Sequence, residues 1–434
     1  MRIKVLVLLM LFLPALHAQE SKTVTLSDCI NIAVENNKLL KVSKSKIYFA
    51  GEKLNEVQTA QLPVLKFNGA AQRLSEVDPF KIGTMQISPS ILNNYSMRLT
   101  LSQPLFTGFR LASNVEVSEY NYKAVEKDYM KDKNQLIMDT KIAFYNFVKA
   151  REIRKTIEKS IEQVSVRVKD INNMYENGLA TYNDLLKVKV QMSNFEILLL
   201  DATNNISNSM YFLNTTMGIP VSTNLVVRDS VRLFIFEIPK LEDLITQSRQ
   251  NRSDLKSLEF RIKSGESGIR SARSGWFPQL SFNANYLYAN PNSRYFPAQN
   301  AFKGSWDIGL TLTYDLWNWR LTTYQTRQAE SNVEQTKLTK EYLENTVDLE
   351  VMQNYNTYKS SVERLRLTRE TVEQAEENYR VTFEKYKAGL LLNLEVVDAE
   401  TSLLLARINY YNSMADYYIS VARLEKAIET NFKY

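Results

Sequence analysis

A chain of 434 residues, 24% charged and 44% hydrophobic, is long enough for two or three domains. Its formal charge of +6 is spread along the chain, which leaves no basic footprint for nucleic acid. With one histidine and one cysteine, it suits neither a disulfide framework, nor an ordinary zinc site, nor a histidine-dependent catalytic triad.

Residues 1–18 read as an export signal, with Arg2 and Lys4 at the start, an apolar run from Val5 to Leu13, and Ala15 to Ala18 at the cleavage site. Removing them takes away His17 and two basic residues, so the formal charge falls from +6 to about +4. No later apolar run approaches the roughly 20 residues of a membrane-spanning helix. Cys29 lies too far beyond the cut to be a lipidated N-terminal cysteine, and it reads as a buried structural thiol.

The remaining chain reads as two copies of one design, at 19–230 and 231–434. The first copy offers a helix over 26–61, strands over 63–74 and 95–105, a long helix over 110–176 and a helix over 181–216. The second offers a helix over 240–275, strands over 278–289 and 305–317, a long helix over 320–387 and a helix over 393–430. "LPVLKFNGA" from Leu62 answers "FPQLSFNAN" from Phe277, "LTLSQPLF" from Leu99 answers "LTLTYDLW" from Leu310, and "MYENGLATYNDLL" from Met174 answers "KYKAGLLLNLEVV" from Lys385. Strand and turn are equally spaced in both copies, so the length of the intervening helix matters physically.

The strands alternate apolar and polar residues with a period of two. Trp306, Ile308, Leu310, Leu312, Tyr314 and Leu316 oppose Asp307, Gly309, Thr311, Thr313 and Asp315; Leu280, Phe282, Ala284, Tyr286 and Tyr288 oppose Ser281, Asn283 and Asn285. Tyr95, Met97, Leu99 and Leu101 oppose Ser96, Arg98, Thr100 and Ser102, while "VLKFNGAAQR" alternates more weakly. About ten such residues, flanked by Phe106, Phe109, Trp317 and Trp319, suit a tilted membrane strand with an aromatic girdle. An ordinary half-buried antiparallel sheet is the alternative. Spanning barrels need about eight strands or more and open edges are not tolerated in lipid, so four strands require other copies of the chain: two copies give eight strands, whose interior side chains fill, and three give twelve, wide enough to leave an opening.

The segment 110–176 contains neither Pro nor Gly, and Ile153, Ile157, Ile161, Val164, Val168, Ile171 and Tyr175 recur at packing intervals; Val372, Ala375, Tyr379 and Tyr386 occupy equivalent places. At about 1.5 Å per residue such a helix is roughly 100 Å long, several membrane thicknesses. Shorter helices stacked end to end would match it, which suggests a cylinder wall alternating continuous and broken helices. At the far turns, Gly178 and Gly389 fit the left-handed position that ends a helix, each followed by a leucine positioned to pack back on the last turn. Thr181 with Asp184 resembles a capping box, Asn393 is placed to cap the next helix, and acidic residues favour helix starts. Asp184, Glu395 and Asp398 therefore admit two readings, as caps or as a cation-favouring ring of carboxylates around a narrow mouth.

The duplicated plan, "LSDCINIAVENN", "PLFTGFR" and "YKAGLLLNLEVVDAETSLLLARINYYNSMADYYISVARL" together resemble the TolC-like outer-membrane efflux proteins over essentially the whole mature chain. The resemblance implies a mainly α fold with membrane β-structure. It would be a homotrimer with a twelve-stranded barrel in the lipid of a Gram-negative outer membrane, continued by an α-helical barrel in the periplasm. It implies that Asn177, Gly178, Leu179, Ala388, Gly389 and Leu390 form tips for a periplasmic adaptor (membrane fusion) protein, and that Glu395, Asp398, Asp184 and Tyr386 belong to the tip gate. Some relatives carry an arginine shortly after the glycine, where this chain has Leu391 and Leu392, so a salt-bridge latch at that spot is not implied. The function implied is a passive duct for a tripartite efflux or type I secretion system driven by an inner-membrane pump. No phosphate-binding loop is present and no cofactor is expected. The rivals are a non-conducting coiled coil anchored by a small barrel, and an exported hydrolase using Asp184, Glu395 and Asp398, whose cleft would need a concave globular scaffold that these helices do not provide.

Overall fold

A computed structural model describes residues 22–78, 80–87, 91–228 and 234–432, so the expected signal at 1–18 lies outside the described residues. In chain order the elements are β1 (Lys22–Val24), α1 (Leu26–Asn36), α2 (Lys38–Thr59), β2 (Val64–Arg73), β3 (Phe80–Ile82), β4 (Met85–Ile87), β5 (Asn93–Phe106), α3 (Arg110–Glu176) and α4 (Tyr182–Met217). There follow β6 (Leu225–Val227), α5 (Leu241–Asn251), α6 (Ser253–Arg273), β7 (Gln279–Asn290), β8 (Lys303–Thr313), α7 (Leu321–Lys387) and α8 (Asn393–Ile428). The protein is mainly helical. α3 and α7 are each 67 residues long, and α4 and α8 each 36. Among the described residues no helix is long and apolar enough to cross a membrane, which says nothing of strands. Two compact units form, each drawing on both halves of the sequence: one from 22–41, Asp132–Ser248 and 349–432, the other from Val42–Lys131 and Arg249–Asp348.

The second unit carries an antiparallel sheet in the order β2-β5-β7-β8. Register carries the sequence alternation across all four strands, because antiparallel partners project to the same face. Phe67, Leu99, Tyr286 and Trp306 form one row, and the neighbouring row, on the other face, is Lys66, Thr100, Asn285 and Asp307. The polar row is stitched together: Thr100 Oγ1 donates to Asn285 Oδ1 at 2.8 Å and Asn285 Nδ2 donates to Asp307 Oδ2 at 2.8 Å. The apolar row is uncovered, with Phe67 68% and Trp306 66% exposed. β2 and β8 stand at the two edges, each paired within this sheet on one side only.

In the other unit Ile157, Val164 and Ile171 of α3 bury themselves against Leu185, Val188, Phe195 and Ala202 of α4 and Leu404 of α8. Cys29 is fully buried, as a structural thiol would be. An extended segment around Phe234–Phe236, without regular structure, is held by tyrosine hydroxyls that replace a neighbouring strand. Phe236 N–H donates to the Tyr417 hydroxyl at 2.9 Å, that hydroxyl donates to the Phe234 carbonyl at 3.1 Å, and Tyr358 donates to the Phe236 carbonyl at 2.7 Å. Burial pushes the Tyr417 phenol far above its usual value, so it stays protonated and donating. Tyr417→Phe removes one donor and one acceptor from a buried site and is expected to cost about 1–3 kcal/mol. Hydrogen exchange would show faster opening of the Phe236 amide in the variant; unchanged exchange would refute the clamp.

The structure departs from the sequence reading in several of its elements. The helices expected over 26–61 and 240–275 are each broken, at Asn37 and at Arg252, where ψ is 125° in both. Asn37 Oδ1 accepts from Leu39 and Leu40 N–H and its Nδ2 donates to the Thr216 carbonyl, so the residue caps α2 while pinning it to α4. Arg252 is buried and paired with Asp254 at 2.6 Å. β8 ends at Thr313 rather than 317, and further on Trp319 and Arg320 turn the chain into α7 at φ 53° and 62°, as Gly108 and Phe109 do before α3 at 60° and 69°. The parallel pair β1·β6 and the hairpin β3·β4 are additional.

Candidate functional site

Both helical hairpins of the first unit end in the same turn. Gly178 (φ 75°) donates its N–H to the Tyr175 carbonyl at 3.0 Å and Leu179 to that of Met174 at 2.7 Å; Gly389 (φ 73°) donates to Tyr386 at 2.9 Å and Leu390 to Lys385 at 3.0 Å. These paired bonds satisfy the last carbonyls of α3 and α7 and require the left-handed residue that glycine supplies without strain. Asn177, Gly178, Leu179, Ala388, Gly389 and Leu390 are all exposed. The two leucines do not fold back on the helix: Leu179 is 75% and Leu390 72% exposed. At the second turn the residue facing such a contact is Lys385, which offers no apolar bed.

The helix starts differ. Thr181 and Asp184 form a full capping box, with Asp184 N–H donating to Thr181 Oγ1 at 3.1 Å and Asp184 Oδ2 accepting from Thr181 N at 3.2 Å and Oγ1 at 2.6 Å. At α8 the expected cap does not form: Leu392 takes the cap position without a side-chain bond, and Asn393 is the first helical residue, buried, with neither Nδ2 nor Oδ1 partnered. Glu395 and Asp398 are exposed, and among the described residues their carboxylates make no hydrogen bond or ion pair.

Between the hairpins lies an open cleft of about 790 Å³, lined among others by Asp184, Tyr386, Asn393, Tyr379, Phe383 and Arg167. Asp184 and Tyr386 meet there; Glu395 and Asp398 lie outside it. Burial raises the Tyr386 phenol above its usual value, Arg167 opposes this, and Asp184 adds to it. The Tyr386 hydroxyl points to Met174 Sδ at 3.9 Å.

Beneath the cleft the sequence reading missed a polar cluster. Arg167 of α3 forms an ion pair with Glu400 of α8 at 2.8 Å, their side chains only 5% and 2% exposed. Gln191 of α4 donates to Glu400 Oε2 at 3.1 Å, and Arg167 Nη2 to the Tyr379 hydroxyl of α7 at 3.3 Å, so side chains of α3 and α4 meet the carboxylate of α8 and α7 joins through Arg167. Burial pushes the Glu400 carboxyl above its ordinary value, opposed by Arg167 and Gln191. The available signal was a charge on an apolar seam: Arg167 lies between Val164 and Ile171, Glu400 between Val396 and Leu404.

A sheet with one bare apolar face is thus joined in one chain to helical hairpins whose turns end on glycine. The chain belongs to the outer membrane efflux protein family, whose profile matches residues 29–218 and 244–429. It is similar to the outer membrane protein TolC of Vibrio cholerae, 24% identical over 93% of this chain and 90% of the relative. It is also similar to the toxin and drug export protein A of Aggregatibacter actinomycetemcomitans, 21% identical over 74% and 72%. Among solved structures, the Campylobacter jejuni CmeC outer membrane channel shares the fold, with a TM-score of 0.80 and 17% identity over 94% of this chain and 86% of that one.

Proposed function

We propose that this chain is the passive exit duct of a tripartite efflux or type I secretion system, carrying substrates from an inner-membrane pump across the periplasm and outer membrane. The observation that carries the reading is the sheet β2-β5-β7-β8, whose exposed apolar face needs lipid while its edges β2 and β8 need partners. Three copies joined edge to edge make a closed barrel of twelve strands, wide enough to leave a lumen lined by the polar face. The helical part then lies in the periplasm. The exposed turns at Asn177–Leu179 and Ala388–Leu390 present backbone and leucine to an adaptor protein, and the energy comes from the pump. The mass of the detergent-extracted protein, corrected for bound detergent, tests this: three copies support the barrel, and a stable monomer would leave bare edges in lipid and overturn it.

Glu395 and Asp398, exposed and unpaired, supply the carboxylate ring in this reading, while Asp184 is largely committed to its cap. The double variant Glu395→Ala with Asp398→Ala is expected to weaken cation preference in single-channel recordings. An unchanged reversal potential would retire the ring.

A further inference from the structure

The polar face of the four-stranded sheet is unevenly charged. Lys66 and Arg98 are diagonal neighbours on it, since Lys66 pairs with Thr100 and Arg98 with Asn68, which places these like charges roughly 7–8 Å apart. Both are exposed, and among the described residues neither has an ion-pair partner. Lys303, opposite Ala289, belongs to the same face nearer the β7–β8 loop. The one carboxylate within these strands on this face, Asp307, is already engaged. Its Oδ2 accepts from Asn285 at 2.8 Å, and its Oδ1 lies 3.3 Å from Nη2 of Arg294, which reaches back from the loop and also donates Nη1 to the Trp306 carbonyl at 2.8 Å. Asp315, on the same alternation in the sequence, falls beyond the end of β8. Within the strands, three cationic side chains, Lys66, Arg98 and Lys303, thus share this face with one carboxylate, which Arg294 of the loop already pairs with.

We propose that this face is an anion-attracting band and that the membrane end of the duct favours solutes carrying net negative charge, such as organic carboxylates and phosphates. The inference rests on the duct reading, in which the polar face lines the lumen. Repeated in each copy around an axis, Lys66 and Arg98 form a basic girdle in a water-filled passage walled by low-dielectric lipid. Charges of one sign so placed raise the local concentration of the opposite ion. The acidic tip residues and this band would then act on a solute in series with opposite sign, so the band is seen best when the tip carboxylates are removed.

The test is the chloride-to-potassium permeability ratio of the full-length protein in planar bilayers under a KCl gradient, in the Glu395→Ala, Asp398→Ala background. Adding Lys66→Gln and Arg98→Gln is expected to lower the ratio about twofold or more, and Asp307→Asn to raise it. The background protein itself should lose anion preference as the salt rises from about 0.1 M to 1 M, because the screening length falls from about 10 Å to 3 Å. That measurement needs no strand variant and stands if the double substitution fails to assemble. Conductance with a ratio unmoved by salt, or by the substitutions in assembled variants, overturns the band and leaves the duct intact. Absence of any conductance overturns the duct reading and the band with it.

Discussion

Arg167→Met is expected to destabilise the helical unit by about 3–5 kcal/mol, because it leaves the Glu400 carboxylate buried without its counter-charge. The loss has a sign in pH. Burial already holds the Glu400 pKa above its unfolded value, and without the guanidinium it rises further. A raised carboxyl pKa gives stability that is present below the unfolded value, about 4.3, and that fades as the pH climbs through the folded one. The variant should therefore be least impaired near pH 4 and worst at pH 7–8. The double variant Arg167→Met with Glu400→Leu, which removes both charges and keeps most of the volume, should regain most of the stability. Denaturant unfolding of the detergent-solubilised protein followed by circular dichroism measures all three. A single variant as stable as the parent at pH 8 would mean that the ion pair is not what holds α3 to α8.

Leu310→Arg is expected to block assembly in the membrane, whereas Thr311→Arg, one residue along the same strand, should be tolerated. Leu310 is 65% exposed on the apolar face, opposite Phe282; Thr311 lies opposite Ser281 on the polar face. Arginine on a lipid face near the midplane costs about 2–4 kcal/mol per site, and a trimer would carry it three times. Outer-membrane fractionation with gels of unheated samples reports the assembled oligomer. Equal losses from both substitutions would show that the two faces do not divide lipid from lumen.

The long helices were legible because nothing in 110–176 interrupts a helix and the apolar interval is regular; α3 runs from Arg110 to Glu176. The tip glycines were legible for a similar local reason, since ending a helix left-handed needs no distant partner. The breaks at Asn37 and Arg252 were not. Each is decided by what the residue meets: Asn37 finds the Thr216 carbonyl on another helix, and Arg252 is buried beside Asp254. The same holds at α8, where Asn393 carries a capping side chain yet sits one position inside the helix, so that Leu392 holds the cap position.

By itself the sequence determined the long helices, the four strands of the main sheet with their order, and the alternation that divides those strands into two faces, because periodicity and turn chemistry are local properties of the chain; its motifs carried the resemblance to the family. Only the tertiary structure decided that β5 of the first half pairs with β7 of the second and that Asp184 and Tyr386 share a cleft from which Glu395 and Asp398 are absent. It alone joined Arg167 to Glu400. Such pairings bring together residues far apart in the chain, and their energies come from desolvation and register, quantities that exist only once the helices and strands have met.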